Sequence, residues 1–269
     1  MRLLQISVFL FAITLSAEAA STELPKQWWN NNSYFYDKKY QNKLLYHMEA
    51  AAGYNKEDGN IDQEQGQYSL DAVLRYGQGS FHIDSSYLHS DITEYAAKES
   101  PVGTVKSLSI SYDTYVNYDI TQIIYAFLGY KYYKGDDIYI KNRNVYYSGL
   151  GFYILQNKTN ILKIELLYGY DEIQFLSALE NNAKSNAVAI REKFHYIYDK
   201  RTSIDQEFSY IFEEKKYRNE AHFNTKLNVQ IIKPLFLVPY VSWDYYEFLK
   251  VVNLYENDIK FGINLKVVF

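Results

Sequence analysis

The chain has 269 residues, with 28 Lys and Arg against 32 Asp and Glu, no Cys, and an aromatic load of 30 Tyr, 15 Phe and 3 Trp. Without cysteine, thiol catalysis, disulfide scaffolds and thiolate metal sites are excluded together, and a net charge of −4 argues against nucleic-acid and anionic-membrane partners. At 48% hydrophobic the chain can bury a core, while 22% charged residues and a mean hydropathy of −0.35 do not suit a bundle of membrane helices.

Residues 1–19 read as an export signal: Arg2 supplies the positive start, Leu3 to Leu15 the apolar stretch, and Ala17-Glu18-Ala19 the small residues before a cut after Ala19. Residues 20–42, with Trp28-Trp29 and Asn30 to Asn32, form a periplasmic N-terminal segment that either lies at the inner bilayer interface, enters the lumen or remains a tail. Beyond it no apolar run approaches the roughly 18 residues of a spanning helix. The longest, Pro234 to Val241, has the length of a strand. Any membrane span is therefore β.

From residue 43 onward the dominant period is two. Leu44, Tyr46, Met48 and Ala50 share one face, as do Tyr68, Leu70, Ala72, Leu74 and Tyr76, and then Leu162, Ile164, Leu166 and Tyr168. Ala221, Phe223, Thr225, Leu227, Val229 and Ile231 alternate with His222, Asn224, Lys226, Asn228 and Gln230, and the last strand repeats the pattern from Ile259 to Phe269. Strands are predicted at 43–54, 66–77, 80–90, 105–116, 120–132, 145–155, 161–170, 186–198, 202–212, 219–231, 235–246 and 257–269. Each is near the roughly 9 to 11 residues of a tilted transmembrane strand. Short turns (Gln78-Gly79, Asn117–Asp119, Gln156–Asn160, Asp199–Arg201, Ile232–Pro234) alternate with longer polar loops (55–65, 91–104, 133–144, 171–185, 213–218, 247–256). That rhythm predicts an all-β, up-and-down antiparallel transmembrane barrel over 43–269, with about twelve strands and with ten or fourteen as alternatives. Tyr46, Tyr54, Tyr68, Tyr76, Tyr168, Tyr198, Phe212, Trp243 and Phe261, near strand ends, are placed at the two bilayer interfaces.

Lys260, Gly262, Leu265, Val267 and the terminal Phe269 match the polar-x-Gly-x-x-apolar-x-apolar pattern with a final aromatic. They resemble the β-signal by which Gram-negative outer-membrane barrels are recognised for insertion. Gly59-Asn60, Gly149-Leu150-Gly151-Phe152, the stretch Arg191 to Phe212 with Asp205-Gln206-Glu207, and the final Gly262 to Phe269 strand resemble the salt-induced outer-membrane protein family, the YdiY-like barrels. The resemblance runs from about Gly53 to Phe269. It implies an outer-membrane location, the bilayer lipid and lipopolysaccharide as surroundings, the barrel-assembly machinery as a partner during insertion, and an envelope or osmotic role. It carries over no catalytic residue and no cofactor.

If the apolar faces meet lipid, the opposite positions line the lumen: Glu49, Asp71, Arg75, Glu165, Arg191, Lys193, His195, Asp205, Glu207, His222, Lys226 and Lys260 among them. For the hairpin centred on Lys200, symmetry sets Lys193 opposite Glu207 and His195 opposite Asp205. Acids and bases balance, so the expectation is a charge-paired wall around a narrow passage, since twelve strands lie between filled small barrels and open porins. Limited passage of small solutes, or an envelope role, is the leading reading. A lipid-modifying hydrolase or a surface receptor or adhesin is the alternative. For catalysis the one local cluster is His89-Ser90-Asp91, which lacks the His-x-Ser-Asn run of barrel lipases, so the chain reads as a non-enzyme. Glu57, Asp58, Asp62 and Glu64 lack a defined calcium-loop spacing, so no metal site is expected. The barrel reading predicts heat-dependent migration on SDS gels, and deletion of Phe269 should abolish recovery in the outer-membrane fraction. A soluble product of ordinary mobility would contradict it.

Overall fold

The computed structural model describes residue 29 and residues 42–57, 62–97, 100–135, 140–175, 183–214, 219–247 and 257–269. Twelve strands follow one another: β1 Leu44–Glu57, β2 Asp62–Tyr76, β3 Gly79–Ala97, β4 Ser100–Asp119, β5 Ile124–Lys134, β6 Ile140–Gln156, β7 Asn160–Phe175, β8 Ala183–Ile197, β9 Thr202–Glu213, β10 Glu220–Ile232, β11 Leu235–Tyr246 and β12 Asn257–Val268. Each pairs antiparallel with its sequence neighbour, and β12 pairs with β1 to close the barrel. At this seam the Phe269 amide donates to Met48 O at 2.8 Å and the Met48 amide to Phe269 O at 3.4 Å, so the last residue completes the ladder. Closure matters because a free strand edge would leave unpaired peptide groups in hydrocarbon.

The period-two pattern sorts side chains as expected. Leu74, Leu128, Leu150, Leu166, Val188, Ile263 and Leu265 are exposed on the outside, where lipid would meet them. Exposed Tyr46, Tyr76, Tyr118 and Tyr198 lie toward the end with the short turns, and Tyr54, Tyr68, Tyr146, Tyr168, Phe212 and Phe261 toward the other. Tyr46 and Tyr54 are eight residues apart, about 26 Å along a strand, which becomes an apolar band of about 20–25 Å once the strand is tilted.

The strands differ from the sequence expectation mainly at their ends. Residues 91–104, expected as a loop, are nearly all strand, and β3 and β4 reach 19 and 20 residues, with Asp91 opposite Lys106 and Thr93 opposite Thr104. Outside lipid both faces of a hairpin meet water, so apolar alternation fades while backbone pairing continues. Conversely, residues 120–123 form a turn: the amides of Ile123 and Ile124 donate to Thr121 Oγ1 at 3.1 and 2.9 Å. The expected turn at Asn117–Asp119 belongs to β4. The β2–β3 turn falls on Gly77-Gln78, one residue before the expected pair, because Gly77 supplies the left-handed φ of 57° that a tight hairpin needs. The β8–β9 turn is built on Asp199, whose Oδ1 accepts the Arg201 and Thr202 amides at 2.7 Å each. The Arg201 amide holds that exposed carboxyl below its usual range.

Part of the interior is filled by a cluster of Tyr125, Phe127, Tyr147, Tyr153 and Ile161 on β5, β6 and β7, with Tyr115, Val145 and Leu167 packed against it. Its seating explains the Gly149 and Gly151 motif. Across the β5–β6 pair Tyr125 faces Gly151, Phe127 faces Gly149 and Tyr147 faces Gly129. A Cβ on Gly151 or Gly129 would stand inside the facing ring, and one on Gly149 would meet both Phe127 and the Leu166 carbonyl. Gly262 gives Tyr240 the same seat across β11–β12. Tyr125 also donates to the Glu165 carboxylate, so the ring is not free to swing away. Gly151→Ala is therefore expected to lower unfolding stability in detergent micelles by about 1–3 kcal/mol through overpacking, read as a lower urea midpoint. An unchanged midpoint would mean that the ring gives way.

Candidate functional site: a charged cavity in the barrel lumen

Inward positions of nearly all strands enclose a cavity of about 550 Å³. Of the lumenal residues expected from the sequence, Glu49, Asp71, Arg75, Glu165, Arg191, Lys193, His195, Asp205, Glu207 and Lys226 line it. His222 stands nearer the long-loop end, where its Nδ1 is 2.8 Å from Asp244 Oδ1 and its Nε2 3.3 Å from Glu220 Oε2. Lys260 sits opposite Ser242 in the β11–β12 register, outside the cavity. Gly262, Leu265, Val267 and Phe269 belong to the closing seam just described.

The charged lining contains Glu49, Asp71, Asp84, Asp113, Asp119, Glu165, Asp205 and Glu207 against Arg75, Lys131, Lys163, Arg191, Lys193, Lys226 and Lys266, eight carboxylates to seven cations. The totals balance, as the sequence suggested. The local arrangement departs from a uniformly paired wall. Some pairs form: His195 Nδ1 lies 2.5 Å from Asp205 Oδ1, Lys266 Nζ 3.0 Å from Glu49 Oε2, and Arg191 donates to Glu165. Arg75 pairs with Asp119 between β2 and β4. Yet Glu49, Asp71, Asp84 and Asp113 stand in direct register across β1, β2, β3 and β4. On the far wall Lys163 is in register with Lys193, and Lys226 extends from β10. Lys193 is opposite Glu207 as expected, but its ion-pair contact is with Glu165 at 3.9 Å. Like charges directly opposite in a sheet repel, and in the same lining Lys131 stands opposite Asp113, Lys226 opposite Asp205 and Lys193 opposite Glu207.

Rings narrow the passage. Lys193 Nζ lies 5.5 Å from the Tyr115 ring centroid, a contact from β8 to β4 across the interior. Tyr147 donates to Asp113 Oδ1 at 2.5 Å, Tyr240 to Gln67 Oε1 at 3.3 Å, and His82 stacks on Tyr115 at 4.4 Å. Trp29 also lines the cavity and stacks on His47 with centroids 3.3 Å apart and planes 10° from parallel. So Trp29, from the N-terminal segment, enters the short-turn end of the barrel.

A second polar centre, missed by the sequence reading, lies toward the long-loop end. Arg143 on β6 donates to Asp171 Oδ2 on β7 at 2.9 and 2.5 Å and to both Glu220 oxygens on β10 at 3.0 Å, with Glu213 of β9 at 3.7 Å. The three carboxylates are buried. Positions 143, 171 and 213 had been assigned to loops, yet Arg143 keeps the inward parity of Tyr147, and Asp171 that of Glu165. The residues weighed for catalysis do not assemble: His89 is exposed and Ser90 buried, on opposite faces of β3. The side chain of Asp91, the side chains of Glu57, Asp62 and Glu64, and all of Asp58 lie outside the described residues.

A family profile described as "protein of unknown function, DUF481" matches residues 50–269. The chain belongs to that family, the YdiY-like outer-membrane β-barrels. No curated protein matches the sequence. Among solved structures, an outer-membrane channel from Pseudomonas putida F1 shares the fold at a TM-score of 0.53, with 11% identity over 83% of this chain and 95% of that one. The translocator domain of the autotransporter NalP from Neisseria meningitidis gives a TM-score of 0.49, with 10% identity over 84% and 88%. The NanC porin gives 0.47, with 14% identity over 82% and 98%. At these identities the likeness concerns the barrel fold.

Arg143 is the sole cation bonded to three buried carboxylates among these contacts. Arg143→Ala is expected to cost about 3–5 kcal/mol, the usual penalty for stranding buried charge, measured as urea unfolding in micelles. A loss under about 1 kcal/mol would show that the carboxylates find water instead.

Proposed function

We propose that this family member is a narrow outer-membrane passage for small polar solutes, exported by the signal of residues 1–19 and inserted by the barrel-assembly machinery through its β12 signal. The observation that carries this reading is the polar lumen: about 550 Å³ of space remains beside the aromatic cluster, bordered by charged side chains on opposite walls. A barrel serving only as a structural plug would gain stability by filling that space with packed side chains. In this reading the protein is not an enzyme, and its surroundings are outer-membrane lipid and lipopolysaccharide. The salt-induced label fits a passage whose use varies with osmotic state.

Trp29 has a defined part. Its stack on His47 sets an aromatic ring on the cavity wall at the short-turn end, and in this reading it limits conductance. Purified protein in a planar bilayer should give small single-channel steps, and Trp29→Ala should raise them by about twofold or more. A parallel lipid-hydrolysis assay separates the alternatives: hydrolysis without conductance would favour the lipid-modifying reading, and neither activity a receptor or adhesin.

A further inference from the structure

The two charged rows have a geometry that total charge conceals. Asp71, Asp84 and Asp113 lie side by side on β2, β3 and β4, with neighbouring backbones about 5 Å apart in an antiparallel ladder. Lys163, Arg191, Lys193 and Lys226 line the cavity from β7, β8 and β10, on the opposite half of the twelve-strand circle, where they outnumber Glu165, Asp205 and Glu207, the last two standing opposite Lys226 and Lys193. Both groups of side chains border the same cavity. The space between them therefore carries a field directed across the barrel axis, in a confined interior where water screens poorly.

A cation meets a favourable potential only near the acidic half and an anion only near the cationic half, so neither is favoured across the whole section. A solute with separated positive and negative ends is favoured, since it can turn each end to its complement.

Resting on the passage reading above, we propose that the lumen is a selectivity site for small zwitterions, with a cationic amino end held toward the Asp71–Asp84 row and a carboxylate end toward Lys193 and Lys226. The cavity volume falls within the roughly 300–1,000 Å³ usual for small-molecule sites, ample for an amino-acid-sized solute.

The test uses the full chain in proteoliposomes, with isosmotic swelling by γ-aminobutyrate compared with erythritol, and reversal potentials in KCl read in parallel. The wild type should admit the zwitterion at least threefold faster and discriminate little between K⁺ and Cl⁻. Asp71→Asn/Asp84→Asn should bring the rates to parity and turn the channel anion-selective, whereas Lys193→Gln/Lys226→Gln should also abolish the preference but turn it cation-selective. Both pairs of changes remove charge without changing size greatly, and heat-modifiable migration verifies that each variant has folded. Equal entry of the two solutes through a conducting wild-type channel would overturn the zwitterion site and leave the passage reading intact. A folded protein that neither conducts nor swells would overturn that reading and this one with it.

Discussion

Everything in this structure depends on the closure of β12 onto β1. A sheet in hydrocarbon cannot leave an edge, because each unpaired amide or carbonyl there costs several kcal/mol. Closure then fixes the rest. Once the strands form a ring, each residue has only two destinations, lipid or lumen, and the sequence must alternate apolar with polar to serve both. The terminal Phe269 lies at the seam where this requirement is hardest to meet, since β1 and β12 are the chain's most distant strands, and it makes both reciprocal backbone bonds with Met48.

A ring of twelve strands leaves more room than side chains need to fill. The chain fills the room asymmetrically. On β5 and β6, aromatic rings sit over glycines of the facing strand, allowing bulk on one strand by removing it from its neighbour. The remaining space is lined by charge. Carboxylates are in excess on β1 to β4 and cations in slight excess on β7 to β12, so not every charge meets its complement in the register as Lys226 meets Asp205. Repulsion within the Asp71–Asp84–Asp113 row works against folding. A sequence optimised for stability alone would have alternated the signs along the register.

Face assignment was legible in the sequence because it needs only parity, and parity survives errors in turn position. Partner assignment was not, because it needs the centre of each hairpin, and an error of one residue in the centre moves every partner by two. The β8–β9 turn was centred correctly on Lys200, so Lys193 opposite Glu207 and His195 opposite Asp205 were both found. The β2–β3 turn was centred one residue late, which would have set Asp71 against Ser86 in place of Asp84. That error hid the Asp71–Asp84 pairing, and the loop placed at 91–104 hid Asp84–Asp113, since its centre would have set Asp84 against Ser111. Strand ends failed for a different cause. Apolar alternation reports lipid, not pairing, and it stops at the headgroups while β3 and β4 continue as a hairpin beyond them. Arg143 and Asp171 lay in such extensions and were mistaken for loop residues.

The two polar centres also divide the barrel along its axis. Toward the long-loop end, Arg143 draws Asp171, Glu213 and Glu220 of three other strands to one guanidinium, tying β6 to β7, β9 and β10. Such a node resists ovalisation of the mouth, because any widening must separate a buried cation from its carboxylates. Toward the short-turn end, the Arg75–Asp119 pair links β2 to β4 in the same manner. Between them, Asp71, Asp84, Lys193 and Lys226 belong to neither tie. Tied ends keep the opposing walls at fixed spacing, and a fixed spacing is the condition on which the proposed selection of solutes rests.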